Sequence, residues 1–294
     1  MKRSIHPNDK KVWATQKMNP LKEYVLRKPF NYFTTSLLLL TLALSIPACL
    51  PKEDGCRDVF ATNFAADADT DCEDCCNYPD LTFEIDHAVG DEGLSYNDTL
   101  DFDNKTFQIT QTAFYIYDVF LNNATEELRI TDQRTFTDRS GNSVVLTDDV
   151  TLISRDIQSF SYDIGNFQGQ GTYDQLNFTV GLSTTLSANA PATLPTTHPL
   201  SSNRGLFTIP DSNYVFTRLG VINLPIEDTI RYDLMTPLNI TLSYPVTIDR
   251  GSDLVIPIKI DYQKWLEGIN FAADMAITRQ IIADNIQNAF SIRE

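Results

Sequence analysis

The sequence predicts a mainly β fold, an antiparallel β-sandwich with a C-terminal helix. Short runs of alternating apolar and polar residues recur from residue 79 onwards, and such alternation buries one face of a strand. Asn, Asp, Gly and Pro separate these runs, as they do between the short strands of a sandwich. Near the C-terminus the apolar spacing changes to that of a helix.

The predicted strands follow one another through the domain that we assign to residues 79–294. Their Thr, Tyr and Phe side chains suit a pleated surface. The runs are Leu81–Ile85, Phe107–Ile109, Phe114–Leu121, Ser143–Leu146, Tyr173–Val180, Tyr214–Leu219, Leu238–Leu242 and Leu254–Asp261.

Two further segments of this domain differ from the strands. Residues 272–288 contain few helix breakers and place Ile277, Ile281, Ile282 and Ile286 at near-helical spacing, which predicts a helix packed on the sandwich. Phe290 and Ile292 are then expected to close one edge. Residues 187–204 are rich in Ala, Pro, Thr and Ser and predict a long loop, which is either a binding element or disordered.

The N-terminus has the pattern of an export signal. Basic residues precede an apolar run, Ser36–Leu44, and small residues lead to Cys49. The run is too short to span a bilayer, which needs about 20 apolar residues. The pattern resembles a bacterial lipobox, which implies a signal peptide over 1–48, a lipid on Cys49 and a tether over 49–54. An ordinary signal peptide with a coincidental cysteine is the alternative.

The tether carries a second short pattern. Lys52, Glu53 and Asp54 resemble the surface-export signal of Bacteroidetes lipoproteins. The resemblance implies an outer-membrane protein exposed at the cell surface and held to the membrane by its lipid. A generic polar tether is the alternative.

Four cysteines define a small module over residues 55–78. An even number in an exported segment predicts two disulfides among Cys56, Cys72, Cys75 and Cys76, with three connectivities open. The adjacent Cys75 and Cys76 are not expected to pair with each other. A zinc site is the alternative, because Cys72 and Cys75 have ligand spacing. The segment resembles a cysteine module of Bacteroidetes surface proteins, which implies a spacer.

Carboxylates alternate inside this module. Asp67, Asp69, Asp71 and Asp74 offer the several oxygen ligands that calcium favours, so calcium is a candidate cofactor. The loop lacks the mid-loop glycine and closing glutamate of an EF-hand. A solvated acidic loop is the alternative.

Charge and motif content exclude several functions. The chain carries a net charge of -16, and because the first 48 residues are basic, the remainder reaches -22. Such an acidic body argues against nucleic acid as a partner. Residues 49–294 contain two histidines and none of the zinc-protease, phosphate-loop or serine-hydrolase motifs. We therefore do not expect an enzyme.

The order of the segments resembles the MbnP-like family, a copper-associated family found in methanobactin operons. Gly171–Leu182, for example, is similar to the family's strand G-x-Y-D-x-I-x-F-x-I-G-V. The resemblance covers nearly all of residues 79–294 and implies an extracytoplasmic β-rich fold that binds copper. The other pieces are Leu81–His87, Phe107–Leu121, His198–Leu200, Gly205–Phe207, Tyr214–Phe216, Lys264–Leu266 and Asn285–Phe290.

The family's metal-site residues carry over only in part. His87 matches the histidine of the opening strand, and His198 is the second candidate ligand for copper. Some members have an oxidised tryptophan near the metal, but Leu206-Phe207-Thr208 stands where the family has Met-Tyr-Trp. Trp265 is expected in the core.

Two functional hypotheses follow. The first is a lipoprotein that binds copper for uptake or handling. The second is a non-metal binding or structural module of the envelope, which uses the sandwich and the long loop to hold an unknown envelope protein or a glycan.

Overall fold

The computed structural model describes residues 52–72, 74–154, 160–204, 206–208, 212–224 and 226–293. The predicted signal peptide and the predicted lipid attachment at Cys49 lie outside these residues. Within them, no helix is both long and apolar enough to cross a membrane.

The elements are mostly strands, as predicted, with few helical turns. The helical elements are α1 (Thr184–Ser187), a 3-10 turn (Pro191–Thr193), α2 (Tyr262–Trp265) and α3 (Met275–Ala289). The strands are β1 (Asp54–Gly55), β2 (Thr70–Asp71), β3 (Asp80–Val89), β4 (Glu92–Gly93), β5 (Leu100–Phe102), β6 (Lys105–Asn122), β7 (Glu127–Arg129), β8 (Gln133–Thr137), β9 (Ser143–Thr147), β10 (Thr151–Ser154), β11 (Ser161–Asn166), β12 (Gly171–Val180), β13 (Phe207–Thr208), β14 (Asn213–Tyr214), β15 (Thr217–Leu224), β16 (Asp228–Leu234), β17 (Leu238–Ile248), β18 (Leu254–Asp261) and β19 (Phe290–Ile292).

The larger sheet is built around β6. Its main path is β16-β15-β6-β12-β17, with β5, β7 and β10 also paired to β6, all antiparallel. The two runs predicted at Phe107–Ile109 and Phe114–Leu121 are parts of this one strand. The polar residues between them do not end it, because the buried Thr112 is satisfied by the Tyr96 hydroxyl, which lies 2.8 Å from both its N–H and its Oγ1.

The smaller sheet has the order β11-β3-β18-β19, with β4 paired to β3. The strands β3 and β18 run parallel, with Ile85 opposite Ile258, while the other pairs of this sheet are antiparallel. Alternation within a strand does not reveal the direction of its neighbour. The parallel pair could therefore not be read from the sequence.

The two sheets pack face to face through aromatic side chains. Phe83 on β3 lies 5.8 Å from Phe178 on β12, and Phe178 lies 5.4 Å from Phe290 on β19, between ring centroids. One continuous cluster of buried residues fills the space between the sheets. The predicted antiparallel β-sandwich is confirmed.

The predicted C-terminal helix is confirmed as α3. Asp274 caps it, accepting a hydrogen bond from the N–H of Ala276 at 2.8 Å. Ile282 and Ile286 are fully buried, whereas Ile277 is 58% exposed, so the buried stripe is narrower than the isoleucine pattern suggested. The chain then enters β19, which pairs with β18 and closes the sheet edge as predicted.

The predicted long loop is folded against a second, smaller core. Ser183 caps α1 by accepting a hydrogen bond from the N–H of Leu186 at 3.1 Å. Leu194 and Leu200, both within residues 187–204, are buried in this cluster together with Tyr115 and Phe136. The loop is therefore held by apolar packing at several points.

The two predicted disulfides are present in the cysteine module. Cys56 pairs with Cys76 and Cys72 with Cys75, so the adjacent cysteines do not pair with each other. The sulfurs of Cys72, Cys75 and Cys76 lie within 4.8 Å of one another. Because all four sulfurs are in disulfides, they are not the thiolates that a zinc site needs.

We expect the Cys56–Cys76 bond to be the main stabiliser of the module. It closes a loop with a sequence separation of 20, and its removal by double Cys→Ser substitution should lower the free energy of unfolding by about 3 kcal/mol. Urea unfolding measures this change. The matched control removes Cys72–Cys75, which closes a loop of separation 3 and should cost less. Equal losses would contradict the loop-closure explanation.

Candidate functional site

His87 lies in the main core near the end of β3. Its side chain is 3% exposed, and its Nδ1 is 2.8 Å from the hydroxyl of Tyr262. The two rings are stacked with centroids 5.8 Å apart, and Tyr262 stacks in turn on Trp265 at 5.3 Å. The predicted copper ligand is thus one end of a row of stacked rings between β3 and α2.

Trp265 lies in the core, as the sequence led us to expect. It is 1% exposed and packs edge-on against Phe114 at 5.7 Å. Among the described residues, its Nε1 has no hydrogen-bond partner. Its surroundings are those of a packing residue.

His198 lies in the folded loop and uses both ring nitrogens. The N–H of Leu200 donates to its Nδ1 at 3.0 Å, so the proton is on Nε2, which donates to Asp148 Oδ1 at 3.0 Å. Asp148 also accepts from Arg134. Burial raises the pKa of Asp148, but the hydrogen bonds from His198 and Arg134 outweigh it and hold that pKa below its usual value.

These contacts predict a structural role for His198. We expect His198→Ala to lower the free energy of unfolding by about 2–3 kcal/mol in metal-free buffer, because it leaves the N–H of Leu200 and one oxygen of Asp148 without a hydrogen-bond partner. His198→Asn is the matched variant, since an amide oxygen can replace Nδ1 as the acceptor, and it should recover part of the loss. A loss that appears only with copper present would instead identify a metal ligand.

The two histidines belong to different parts of the molecule. Tyr262, which contacts His87, is in the larger buried cluster, whereas Phe136, 5.8 Å from His198, is in the smaller one. Within the part of the chain that the structure describes, neither histidine belongs to a group of three or more His, Cys, Asp or Glu side chains with ligand atoms within 4.8 Å. The pair does not fit a shared copper site.

The four predicted calcium ligands lie in the cysteine module. Asp69 accepts a hydrogen bond from the N–H of Glu53 at 3.2 Å, and Asp71 accepts one from the N–H of Arg57 at 3.1 Å. No three of these carboxylates form a cluster with oxygens within 4.8 Å among the described residues. Two of the four carboxylates therefore hold the backbone of the module, and calcium at Asp67, Asp69, Asp71 and Asp74 stays a prediction.

Three cavities lie where two segments of the chain meet. We call residues 132–149, which contain β8 and β9, the hairpin region, and residues 183–199 the loop segment. The cavities have volumes of about 420, 370 and 180 Å³, and each is lined by residues of both segments. Hydrogen bonds join the segments, including Ala190 N–H to Thr137 O at 2.9 Å.

The 420 Å³ cavity is acidic. Asp132, Asp148 and Asp163 line it together with Arg134 and His198. Burial raises the pKa of Asp163, and the nearby charges of Asp80 and Asp132 raise it further. This cavity suits a polar ligand that donates hydrogen bonds.

The 180 Å³ cavity lies beside an irregularity in β6. Asp118 has a left-handed φ of 55°, where the register between β6 and β12 shifts, and its carboxylate accepts from Arg129 at 2.8 Å. The next N–H, that of Val119, donates to the buried Asp149 at 2.7 Å. The bulge thus brings a buried carboxylate to the cavity wall.

Sequence reasoning missed the side chains that line these cavities. The sequence predicts the long loop as either a binding element or a disordered segment, but no pattern singles out Asp148, Asp149 or Asn189. Adjacent aspartates directly after a predicted strand were the available signal, and such pairs are common in solvated turns.

Comparison with known proteins matches this chain to one family. The sequence model of the MbnP family matches residues 78–283, well over half of the chain. Among solved structures, the chain is similar to MbnP from Methylosinus trichosporium, with 12% identity and a TM-score of 0.43 over 66% of this chain and 80% of that one. No curated protein sequence matches.

Proposed function

Because the chain belongs to the MbnP family, we propose that it acts outside the cytoplasm as a lipid-anchored binding module of the outer membrane. In this proposal Cys49 carries the lipid, the cysteine module is a spacer, and the sandwich presents the binding surface. The observation that supports a binding role is that the hairpin region and the loop segment meet and together line three open cavities.

The placement of these cavities favours ligand binding over a purely structural role. Binding residues in many proteins lie on loops held by a rigid scaffold. Here the scaffold is β6, which pairs with several strands of the larger sheet. Tyr115 of β6 is fully buried, and its hydroxyl accepts a hydrogen bond from the N–H of Leu206 at 2.9 Å. Two of the cavities have the volume of a small-molecule site, roughly 300–1,000 Å³.

Copper handling is the second candidate, and family membership together with His87 favours it. His87 stands in the opening strand, where the resemblance places a metal ligand, and imidazole is a suitable ligand for copper. Against it, His198 has both nitrogens in hydrogen bonds, and Thr208 replaces the family's tryptophan. The geometry therefore supports binding of an organic ligand in the cavities better than binding of copper at the two histidines.

Hydrogen-exchange mass spectrometry of the full chain tests the proposal. A panel of neutral saccharides, capped peptides and copper ions is screened by thermal shift, and each hit is then mapped. We expect protection in residues 132–149 and 183–199. A ligand seated in the 420 Å³ cavity should bind more weakly to Asp148→Asn, whereas Asp174→Asn, at an exposed strand position, should leave binding unchanged. Protection confined to β3 and α2 would overturn it.

The lipid anchor has a separate test. We expect radiolabelled palmitate to be incorporated by the wild-type chain expressed in a bacterium, and Cys49→Ala to abolish that label and release the protein from the membrane fraction. Cys56→Ala is the control, because Cys56 is in a disulfide and should leave the label unchanged. A label that survives Cys49→Ala would contradict the anchor.

A further inference from the structure

The strand β9 has one edge with no neighbouring strand among the described residues, because it pairs with β8 alone. Just beyond it, the N–H of Asp148 donates to Asp132 O at 2.9 Å. In the alternating ladder of an antiparallel pair, this bond means that the even-numbered residues of β9 direct their N–H and C=O groups towards β8. The odd-numbered residues direct theirs away from it, and these are Ser143, Val145 and Thr147.

This free edge is suited to pair with another extended chain. Edge strands are commonly protected by charged side chains or by proline, but the sequence of β9 is Ser-Val-Val-Leu-Thr. Its two valines are β-branched and favour a strand, and Val144 is 40% and Val145 57% exposed. The edge is therefore an accessible template for a further strand.

The helix α1 lies across from β9, and the two elements form the walls of a groove. Val144 and Thr184 line the 370 Å³ cavity, while Leu146 and Leu186 line the 180 Å³ cavity. Val144 and Leu146 share one face of β9 and lie about 7 Å apart along the strand. The two cavities therefore follow each other along β9 at the spacing of alternate side chains in an extended peptide.

We propose that an extended peptide segment of a partner protein binds in this groove as a strand antiparallel to β9. Its backbone pairs with the outward N–H and C=O groups of β9, centred on Val145. Two of its side chains, at alternate positions, lie opposite Val144 and Leu146 and enter the two cavities. The assignment rests on the proposed binding function and names its ligand class.

The groove favours a peptide with aliphatic side chains at these two positions. Both cavity walls are more apolar than polar, with Phe136 and Ala188 in the larger cavity and Ile130 and Leu186 in the smaller one. A peptide that alternates aliphatic and polar residues buries one face there and leaves the other in water. A glycan lacks the regularly repeated N–H and C=O groups with which the edge of β9 pairs.

The charge of the domain favours a basic partner over a second copy of this chain. The whole chain carries -16 and its first 48 residues +6, which leaves -22 for residues 49–294. Two such acidic bodies repel each other, whereas a segment flanked by lysine or arginine is attracted. The occupant is therefore a foreign segment with basic residues beside its two aliphatic ones.

Calorimetric titration of the full chain with two end-capped heptapeptides tests the assignment. The probe, Lys-Thr-Leu-Thr-Leu-Thr-Lys, places both leucines on one face of a strand. The matched control has the same composition in the order Lys-Thr-Thr-Leu-Leu-Thr-Lys, which places them on opposite faces. We expect one-to-one binding of the probe and at least tenfold weaker binding of the control.

Two pairs of variants locate the binding. Val145→Pro removes an N–H that points away from β8, so it should keep the hairpin and weaken probe binding at least tenfold, while Val145→Thr should bind as the wild type does. Val144→Asp puts a charge in the groove wall and should also weaken binding at least tenfold. Its control is Thr135→Asp, the same change at an exposed position on the opposite face of the hairpin, which should leave binding unchanged.

Several results would overturn the assignment. They are no binding of the probe, equal binding of both peptides, or unchanged binding in a folded Val145→Pro variant. If Val145→Pro does not fold, unchanged binding in Val144→Asp decides against the groove. A dimer in light scattering that Val145→Pro dissociates would identify a second copy as the occupant. Should the peptides fail while a saccharide protects residues 132–149 and 183–199 from exchange, the proposed function stands and only the ligand class falls.

Discussion

Replacing Phe290 with alanine is expected to lower the free energy of unfolding by about 3–5 kcal/mol. The ring is 4% exposed and contacts Phe178 of the larger sheet at 5.4 Å, Phe114 at 5.8 Å and Trp265 at 6.4 Å. It therefore joins both sheets and the short helix α2. Its loss leaves a cavity where three elements meet, and the surrounding strands cannot collapse to fill it.

Urea unfolding followed by tryptophan fluorescence measures this change, because Trp265 lies beside the substituted ring. The control is Ile277→Ala on α3, whose side chain is 58% exposed and should change the free energy of unfolding by less than about 0.5 kcal/mol. A loss near 1 kcal/mol at Phe290 would show that β19 is peripheral to the core.

Asp149→Asn is expected to stabilise the protein at pH 8 by about 2–3 kcal/mol and to change little at pH 4. Burial, the largest cause, together with the charges of Asp118 and Asp148 raises the pKa of Asp149 to about 6, against the hydrogen bond from the N–H of Val119. Between about pH 4 and pH 6 the folded protein keeps a proton that the unfolded chain has released. The stability from this proton is full at low pH and is lost as the pH rises through about 6.

Denaturant unfolding of the wild type and of Asp149→Asn, at pH 4 and at pH 8, measures this difference in the free energy of unfolding. Asparagine keeps an oxygen that accepts from Val119 and cannot ionise, so the difference between the proteins should grow with pH. The control is Asp174→Asn at an exposed position, which should give the same small change at both. An equal effect of Asp149→Asn at pH 4 and pH 8 would contradict a raised pKa.

The strands of the sandwich were predictable because one face of each is buried. The alternation in Leu81–Ile85 and Tyr173–Val180 gave strands that contain these residues, and Phe290 and Ile292 gave the closing edge. The joining of two runs into β6 was not predictable, since it depends on the contact of Thr112 with the distant Tyr96. Pairings set by tertiary contacts leave little trace in local sequence.

The candidate site was less predictable than the fold. His87 and His198 stood out because histidine is rare in this chain, yet the structure gives them separate aromatic surroundings and separate hydrogen bonds.

Copper titration of the full chain under a competing chelator, with Cu(I) and with Cu(II), tests the central claim that this family member binds an organic ligand and not copper through its histidines. The account predicts no tight one-to-one binding that depends on His87 or His198, with His87→Ala and His198→Asn unchanged from wild type. Tight one-to-one binding that His87→Ala abolishes, in a variant that still unfolds cooperatively, would contradict it and establish the copper hypothesis.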